Sequence, residues 1–228
     1  MVATVPITTV LFDLDDTLLH TFPLRVTALQ EAFDAAGIAD PTAASFITSM
    51  TGRQLTDTLA ELAARLNVQY DVMGRYRDAY WLQEGRRSLF DGVRHLVERL
   101  HHRGVQIGVV TQKERRFEIG GRLAGVHREL EDMGLAPYIG VTIGFEDVTQ
   151  HKPHPEPVHA AMRALGAAPA QTLFVGDSAS DIKAALAAGV RACHATWGLP
   201  PGHAGLDGAT PHHTAHAPDD VFRLVTGP

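Results

Sequence analysis

Short apolar segments alternate with amphipathic segments along much of the chain. Apolar runs with the length of buried strands occupy residues 7–12, 105–110, 139–143, 172–175 and 190–195. Such runs fit strands covered on both faces, although periodicity alone does not distinguish them from buried helix. Apolar positions three and four residues apart predict intervening helices at 93–100, 158–165 and 182–186. Strands that alternate with helices predict a parallel sheet joined by helical crossovers.

Residues 20–85 interrupt this alternation. Their apolar positions predict helices at 28–36, 55–66 and 76–80, and no strand pattern lies between them. We expect the aromatic side chains of Tyr76, Tyr80 and Trp81 to pack inside this helical insertion. The sequence therefore predicts an α/β protein in which an all-helical segment is inserted after the first strand.

Composition narrows the classes of protein that fit. The 20 basic and 26 acidic residues give a net charge of −6, which disfavours nucleic-acid binding through the phosphate backbone. The apolar runs are shorter than the ~18 residues that a membrane span needs. The single cysteine, Cys193, has no partner for an internal disulfide, and the first residues lack the positive region of a secretory signal. We expect a cytoplasmic protein with no membrane or nucleic-acid partner.

Acidic residues collect where predicted strands end. Asp13 and Asp15 follow the first strand, and Asp177 and Asp181 follow the strand at 172–175. Ligands of open parallel sheets bind at the carboxyl ends of the strands, so these side chains are expected to share one crevice. Several carboxylates around one crevice form an oxygen-rich site that suits Mg²⁺.

Two further side chains complete a phosphoryl-transfer site. Thr111, at the end of the strand at 105–110, offers a hydroxyl and a backbone N–H to phosphate oxygen, and Lys152 offers a positive charge. Asp13 could then attack phosphorus to form an aspartyl-phosphate, while Asp15 protonates the leaving oxygen and later deprotonates water. A divalent ion and Lys152 would offset the charge on the transferring group.

Four motifs carry a family resemblance. Phe12-Asp-Leu-Asp-Asp-Thr-Leu18 resembles the Asp-x-Asp-x-Thr motif of the haloacid dehalogenase (HAD) superfamily, and Val110-Thr-Gln-Lys113 resembles its second motif. Lys152 followed by proline resembles the third motif, and Gly176-Asp-Ser-Ala-Ser-Asp181 resembles the fourth. The four occur in the family's order, and the similarity covers nearly the whole chain. Within the superfamily, the chain looks most similar to phosphoglycolate phosphatases and their pyrophosphatase relatives.

The resemblance implies a Rossmann-like core with a helical cap of the C1 type. The core would comprise residues 1–19 and 86–228, and the cap would comprise residues 20–85. It also implies that Asp13 is the nucleophile and that Asp15 is the general acid and base. The backbone carbonyl in the Asp15 region, rather than its carboxylate, is the usual metal ligand in the family.

The remaining site residues also follow from the resemblance. It implies that Mg²⁺ is held by Asp13, Asp15 and Asp177, with support from Asp181, and that substrate phosphate is bound by Thr111, Gln112 and Lys152. Arg53 is either a cap residue that selects the substrate or an exposed arginine at a helix start.

The sequence also departs from the family pattern. Asp16 stands where these phosphatases commonly have glycine, and we interpret it as a turn-forming or helix-capping residue. Gln112 replaces a frequent asparagine. Residues 114–134 form a longer segment than expected, which is either a broken helix or a loop that reaches the active site.

The leading functional hypothesis is a Mg²⁺-dependent phosphatase that acts on a small phosphorylated metabolite, with phosphoglycolate as the favoured candidate. The main alternative is a phosphomutase that resembles β-phosphoglucomutase and returns phosphate to a sugar. A pyrophosphatase and a non-catalytic module that binds a phosphometabolite are further alternatives. The sequence leaves the choice between a monomer and a homodimer open.

Overall fold

The computed structural model describes residues 5–38, 46–47, 72–83, 87–199, 203 and 205–227. The strands within these ranges are β1 (Thr9–Phe12), β2 (Gln106–Val110), β3 (Phe117–Ile119), β4 (Arg122–Ala124), β5 (Val141–Ile143), β6 (Thr172–Gly176), β7 (Arg191–Ala195) and β8 (His213–Ala215). The helices are α1 (Phe22–Ala35), α2 (Val72–Leu82), α3 (Val93–His102), α4 (Val126–Asp132), α5 (Glu156–Leu165), α6 (Ala179–Ala187) and α7 (Pro218–Thr226).

Six strands form one parallel sheet in the order β5-β2-β1-β6-β7-β8. The central strand β1 pairs Phe12 with Val109 of β2 and with Val175 of β6. The carboxyl ends of these three strands therefore lie side by side. The predicted α/β fold with a Rossmann-like parallel sheet is confirmed.

Helices cover both faces of the sheet, and successive strand residues point to opposite faces. On β1, Val10 and Phe12 join the cluster that packs against α3, α4 and α7, whereas Leu11 joins the cluster against α5 and α6. All four residues of β1 are buried. This two-sided burial explains why the strands read as continuous apolar runs rather than as alternating patterns.

Helices α1 and α2 pack together and form what we call the helical layer. Its buried side chains, which include Phe33, Tyr76 and Tyr80, make a third apolar cluster. The two chain connections to the sheet run beside each other, because the His20 N–H donates to Ser88 O and the Phe90 N–H donates to Leu18 O. The helix predicted at 55–66 lies outside the described residues, and the domain boundaries at 20 and 85 stay a prediction.

Residues 114–134 are neither a broken helix nor a simple loop. They form the antiparallel hairpin β3–β4 followed by α4. Gly120 and Gly121 make its turn with φ values of 56° and 74°. Phe117 of the hairpin contacts Trp81 of α2, with ring centroids 5.1 Å apart, so Trp81 also packs outside the helical layer.

Two elements near the C-terminus were not predicted from the sequence. Strand β8 extends the sheet beyond β7, and α7 packs against α3. None of the helices within the described residues is long and apolar enough to cross a membrane.

Candidate active site

Asp13 and Lys152 form a buried ion pair at the end of β1. The Asp13 N–H donates to Val175 O at 2.9 Å, which continues the β1–β6 pairing and fixes the backbone of Asp13. Lys152 Nζ lies 2.5 Å from Asp13 Oδ1, 2.7 Å from Asp181 Oδ1 and 3.1 Å from Val110 O. An ammonium group has three N–H donors, and these three oxygens accept them all. Lys152 therefore offsets the carboxylates, and its predicted contact with phosphate would require one of these partners to be exchanged.

Asp177 and Asp181 follow β6, as predicted, and Asp181 lies in the first turn of α6. Asp181 Oδ2 accepts from the Ser178 N–H at 3.0 Å and from the Ser178 hydroxyl at 2.6 Å, which caps the helix. A Cβ on Gly176 would lie 2.5 Å from Asp181 Cβ, so only glycine fits before Asp177. Both carboxylate oxygens of Asp181 are thus engaged within the protein, which suits a supporting role.

Ligand oxygens of Asp13, Asp177 and Asp181 lie within 4.8 Å of one another. Burial raises the pKa of Asp13 to about 7, with help from the Asp181 and Asp15 carboxylates and against the lowering effect of Lys152. Burial and the nearby Asp181 and Asp13 carboxylates also raise the pKa of Asp177 well above its usual range. Three buried carboxylates with one direct ammonium partner carry excess negative charge. Their oxygen donors suit a hard divalent ion, so the residues present fit a Mg²⁺ site.

The carboxylate of Asp15 turns away from that cluster. Asp15 Oδ1 lies 2.7 Å from Lys113 Nζ, and the Asp15 side chain is 23% exposed. Burial would raise the pKa of Asp15, but the charges of Lys113 and Arg25 outweigh it and lower that pKa. The side chain of Asp15 thus lies beside the cluster of Asp13, Asp177 and Asp181 rather than in it.

The end of β2 contributes Thr111 and Gln112. The Thr111 N–H donates to Ile143 O at 2.9 Å and so takes part in the sheet, and phosphate binding by Thr111 stays a prediction. The Thr111 hydroxyl accepts from the Lys113 N–H at 3.3 Å. Gln112 Nε2 donates to Lys152 O at 2.9 Å. The side chain of Gln112 therefore joins the two segments that carry Thr111 and Lys152.

Asp16 forms the turn into α1, which confirms its interpretation as a turn and capping residue. Its φ is 56°, a left-handed conformation that explains why glycine also suits this position. Asp16 Oδ1 accepts from the Phe22 N–H at 2.8 Å and from the Thr21 N–H at 3.1 Å, and Oδ2 pairs with Arg25. Asp16 thereby fixes the start of the helical layer.

Sequence reasoning missed Lys113 and Glu129 as parts of this site. Lys113 Nζ lies 3.1 Å from both carboxylate oxygens of Glu129, which is 2% exposed. A signal was present, because Glu129 falls on the same helical stripe as Val126 and Leu130. Arg53, the predicted specificity residue, lies outside the described residues.

Comparisons with known proteins agree with the motifs. Residues 10–195 match the family model described as haloacid dehalogenase-like hydrolase. The chain is 34% identical over 202 residues to a phosphoglycolate phosphatase of Pectobacterium atrosepticum, with 85% of this chain and 82% of that protein covered. It is 32% identical over 198 residues to the pyrophosphatase PpaX of Oceanobacillus iheyensis, with 85% of each covered.

Solved structures show the same fold. A hydrolase of the haloacid dehalogenase-like family from Streptococcus pneumoniae superposes with a TM-score of 0.78 at 23% identity, with 96% of this chain and 98% of that chain covered. The family match spans most of the chain and includes Asp13, Thr111, Lys152 and Asp177. The chain therefore belongs to the haloacid dehalogenase-like hydrolase family and is an enzyme of the phosphatase type, a phosphoric monoester hydrolase.

Proposed function

We propose that this protein is a Mg²⁺-dependent phosphatase that hydrolyses a small phosphorylated metabolite through an aspartyl-phosphate on Asp13. The observation that carries the proposal is the arrangement around Asp13 at the end of β1. Its carboxylate lies within 4.8 Å of the Asp177 and Asp181 oxygens, and it forms an ion pair with Lys152. A nucleophilic carboxylate beside cation-binding carboxylates suits phosphoryl transfer through an aspartyl-phosphate.

The protein's own residues divide the chemistry between them. An Asp13 oxygen attacks phosphorus, and the bond between phosphorus and the leaving oxygen breaks. In its protonated form Asp15 gives a proton to that oxygen, and as the carboxylate that Lys113 and Arg25 favour it later takes one from the water that releases phosphate. Lys152 stays ionised in its pocket, because Asp13 and Asp181 outweigh its burial and raise its pKa. Its charge stabilises the negative charge that develops on the phosphoryl group.

Asp13 and Asp177 would hold the metal ion, with the Asp15 backbone carbonyl as the further ligand that the family resemblance suggests. Asp181 would support the site through Lys152. When bound, Mg²⁺ would offset the charge of the phosphoryl oxygens.

The substrate is proposed from the relatives. A protein named phosphoglycolate phosphatase at 34% identity favours a small phosphomonoester such as phosphoglycolate. The relatives named pyrophosphatase PpaX favour inorganic pyrophosphate as the second candidate. We further propose that the helical layer belongs to a cap over the site. A cytoplasmic location and the choice between monomer and homodimer stay predictions.

A phosphate-release screen tests the proposal. The panel contains phosphoglycolate, glycerol phosphate, sugar phosphates and pyrophosphate, each with Mg²⁺ and then with excess chelator. We expect turnover of at least one small ester that chelation abolishes and added Mg²⁺ restores. An Asp13→Asn sample prepared in parallel controls for contaminating phosphatases. Binding of these esters without any turnover would contradict the proposal and favour a non-catalytic module, and isomerised sugar phosphate without released phosphate would favour the mutase.

A further inference from the structure

The side chain of Asp15 pairs with a lysine and does not join the cluster of Asp13, Asp177 and Asp181. Lys113 Nζ lies 2.7 Å from Asp15 Oδ1, and Lys113 lies just beyond the end of β2. Among the described residues, Lys113 is the ion-pair partner of Asp15. The orientation of the Asp15 carboxylate therefore depends on where Lys113 is held.

Lys113 is held on its far side by two other side chains. Its Nζ donates to the Tyr80 hydroxyl oxygen at 2.6 Å and lies 3.1 Å from both oxygens of Glu129. The Tyr80 hydroxyl and the two Glu129 oxygens accept the N–H donors of the ammonium, and Asp15 adds an ion pair. Lys113 therefore has no N–H left for a substrate oxygen in this arrangement, which distinguishes a positioning role from a binding role.

Tyr80 and Glu129 are themselves fixed. The Tyr80 hydroxyl donates to Glu129 Oε1 at 3.0 Å, and Arg87 Nε donates to the same oxygen at 3.0 Å. Arg87 Nη2 also donates to Tyr80 O at 3.0 Å. We call Lys113, Glu129, Tyr80 and Arg87 the Lys113 cluster. It joins the end of β2, helix α4, helix α2 and the chain that connects α2 to the sheet.

The cluster is built from buried polar groups. Tyr80 and Glu129 are each 2% exposed, and the Lys113 side chain is 15% exposed. Buried ionic groups usually contribute little net stability compared with apolar packing, but they constrain geometry because each member needs its partners. An arrangement of this kind is suited to placing a side chain rather than to stabilising the fold.

We propose that Lys113 is a positioning residue for Asp15, and that Tyr80 makes this positioning depend on the seating of the helical layer. The inference rests on the proposed acid role of Asp15. When α2 is seated, Tyr80 and Glu129 hold Lys113, and Lys113 aims the Asp15 carboxylate at the leaving oxygen. When α2 moves away, Lys113 loses its hydroxyl partner, and proton transfer is impaired while Asp13 is unaffected.

Single-turnover kinetics with two kinds of ester test the proposal. The p-nitrophenolate group leaves without a proton, whereas an alkoxide needs one, so only the alkyl ester depends on Asp15 in the first step. Lys113→Met is compared with wild type on p-nitrophenyl phosphate and on the alkyl phosphate that is turned over fastest in the screen. Lysine occurs at 113, 152 and 183. Lys183→Met is the matched control because Lys183 forms an exposed pair with Asp207.

We expect Lys113→Met to slow release of the alkoxide by roughly 10- to 100-fold, a part of the 10²–10⁴ that general acid catalysis supplies. Release of p-nitrophenolate and the KM for either ester should change by less than about threefold, since neither depends on aiming the acid. Tyr80→Phe should give the same selective loss at smaller size, with Tyr138→Phe as its control. The Tyr138 hydroxyl contacts only Glu98 among the described residues.

Equal slowing of both esters, or a raised KM with unchanged kcat, would overturn the positioning role. Tyr80→Phe keeps the proposal testable if Lys113→Met does not fold. Asp15→Asn separates this inference from the function on which it rests. If Asp15→Asn itself shows no preference between the esters, then the acid role of Asp15 is wrong. If Asp15→Asn is selective and both Lys113→Met and Tyr80→Phe are not, then the role of Lys113 is wrong.

Discussion

Two lysines flank the Asp13–Asp15 pair, and they are held by different parts of the molecule. The partners of Lys152 are Asp13, Asp181 and Val110 O, which all lie at the ends of sheet strands or in the helix that follows one. The partners of Lys113 beyond Asp15 come from helices α2 and α4. The proposed nucleophile is thus placed by the sheet and by α6, whereas the proposed acid is placed through Glu129 of α4 and Tyr80 of the helical layer.

The two surroundings also differ in their access to water. The Lys152 and Asp181 side chains are 4% and 1% exposed, whereas the Lys113 and Asp15 side chains are 15% and 23% exposed. Charge interactions are stronger and less screened where water is excluded. The comparison therefore teaches that the charges on the Lys152 side interact more strongly and are less screened than those on the Lys113 side.

The largest expected effect follows from removing the carboxylate that Lys152 holds. Asp13→Asn should lower kcat by roughly 10⁴- to 10⁶-fold, the range seen when a covalent nucleophile is lost. Asp207→Asn is the matched control, since Asp207 is exposed and pairs with Lys183. Steady-state phosphate release measures both. Turnover of Asp13→Asn within tenfold of wild type would remove Asp13 from the mechanism.

The second prediction compares the two lysines by stability. Lys152→Met leaves Asp13 and Asp181 buried without their cation, which should cost about 3–5 kcal/mol in the free energy of unfolding. Lys113→Met should lower the free energy of unfolding by less, because Glu129 keeps its ion pair with Arg87 and the Asp15 side chain is partly exposed to water. Urea unfolding without Mg²⁺ measures both values. An equal or larger loss in Lys113→Met would contradict the contrast between the two sides.

The third prediction assigns the metal ion to the Lys152 side. Mg²⁺ at about 100 times its dissociation constant should stabilise the fold by roughly 2.7 kcal/mol, since it binds only the folded state. Asp177→Asn should abolish this gain, and Lys113→Met should retain it. Thermal unfolding with Mg²⁺ and with chelator gives the comparison. Loss of the gain in Lys113→Met, or its retention in Asp177→Asn, would show that the metal binds elsewhere.

The smallest effect is expected at the third lysine. Lys183 pairs with Asp207 at the surface, where its side chain is 40% exposed. Exposed ion pairs contribute little, so Lys183→Met should change the free energy of unfolding by less than about 0.5 kcal/mol. Activity should stay at the wild-type level. A larger change in urea unfolding would mean that surface pairing contributes more to this fold than burial predicts.

Local patterns predicted the parts of the molecule that depend on local sequence. Strands β1, β2, β5 and β6 lie in short apolar runs and β7 in a weaker one, and Asp13, Thr111 and Asp177 follow the ends of β1, β2 and β6. Because parallel strands end at the same edge, a one-dimensional pattern was enough to bring these residues together.

The parts that the sequence did not predict depend on distant contacts. Strand β8 has three residues in a tract rich in histidine, proline and glycine, and it forms by pairing with β7. The hairpin β3–β4 did leave a signal, since Gly120 and Gly121 between two short strand-like segments favour a tight turn. The link from Asp15 to Tyr80 left none, because residues 65 positions apart meet there only through Lys113.

The central claim is that Asp13 becomes phosphorylated during turnover, and trapping that intermediate tests it most directly. The enzyme is mixed with its best substrate and Mg²⁺, quenched with acid within one turnover and treated with borohydride, which reduces an aspartyl-phosphate to homoserine. Peptide mass spectrometry then locates the change. We predict homoserine at position 13 in wild type and none in Asp13→Asn or without substrate. Full turnover with unmodified Asp13 at every quench time, or homoserine at another aspartate, would contradict the account.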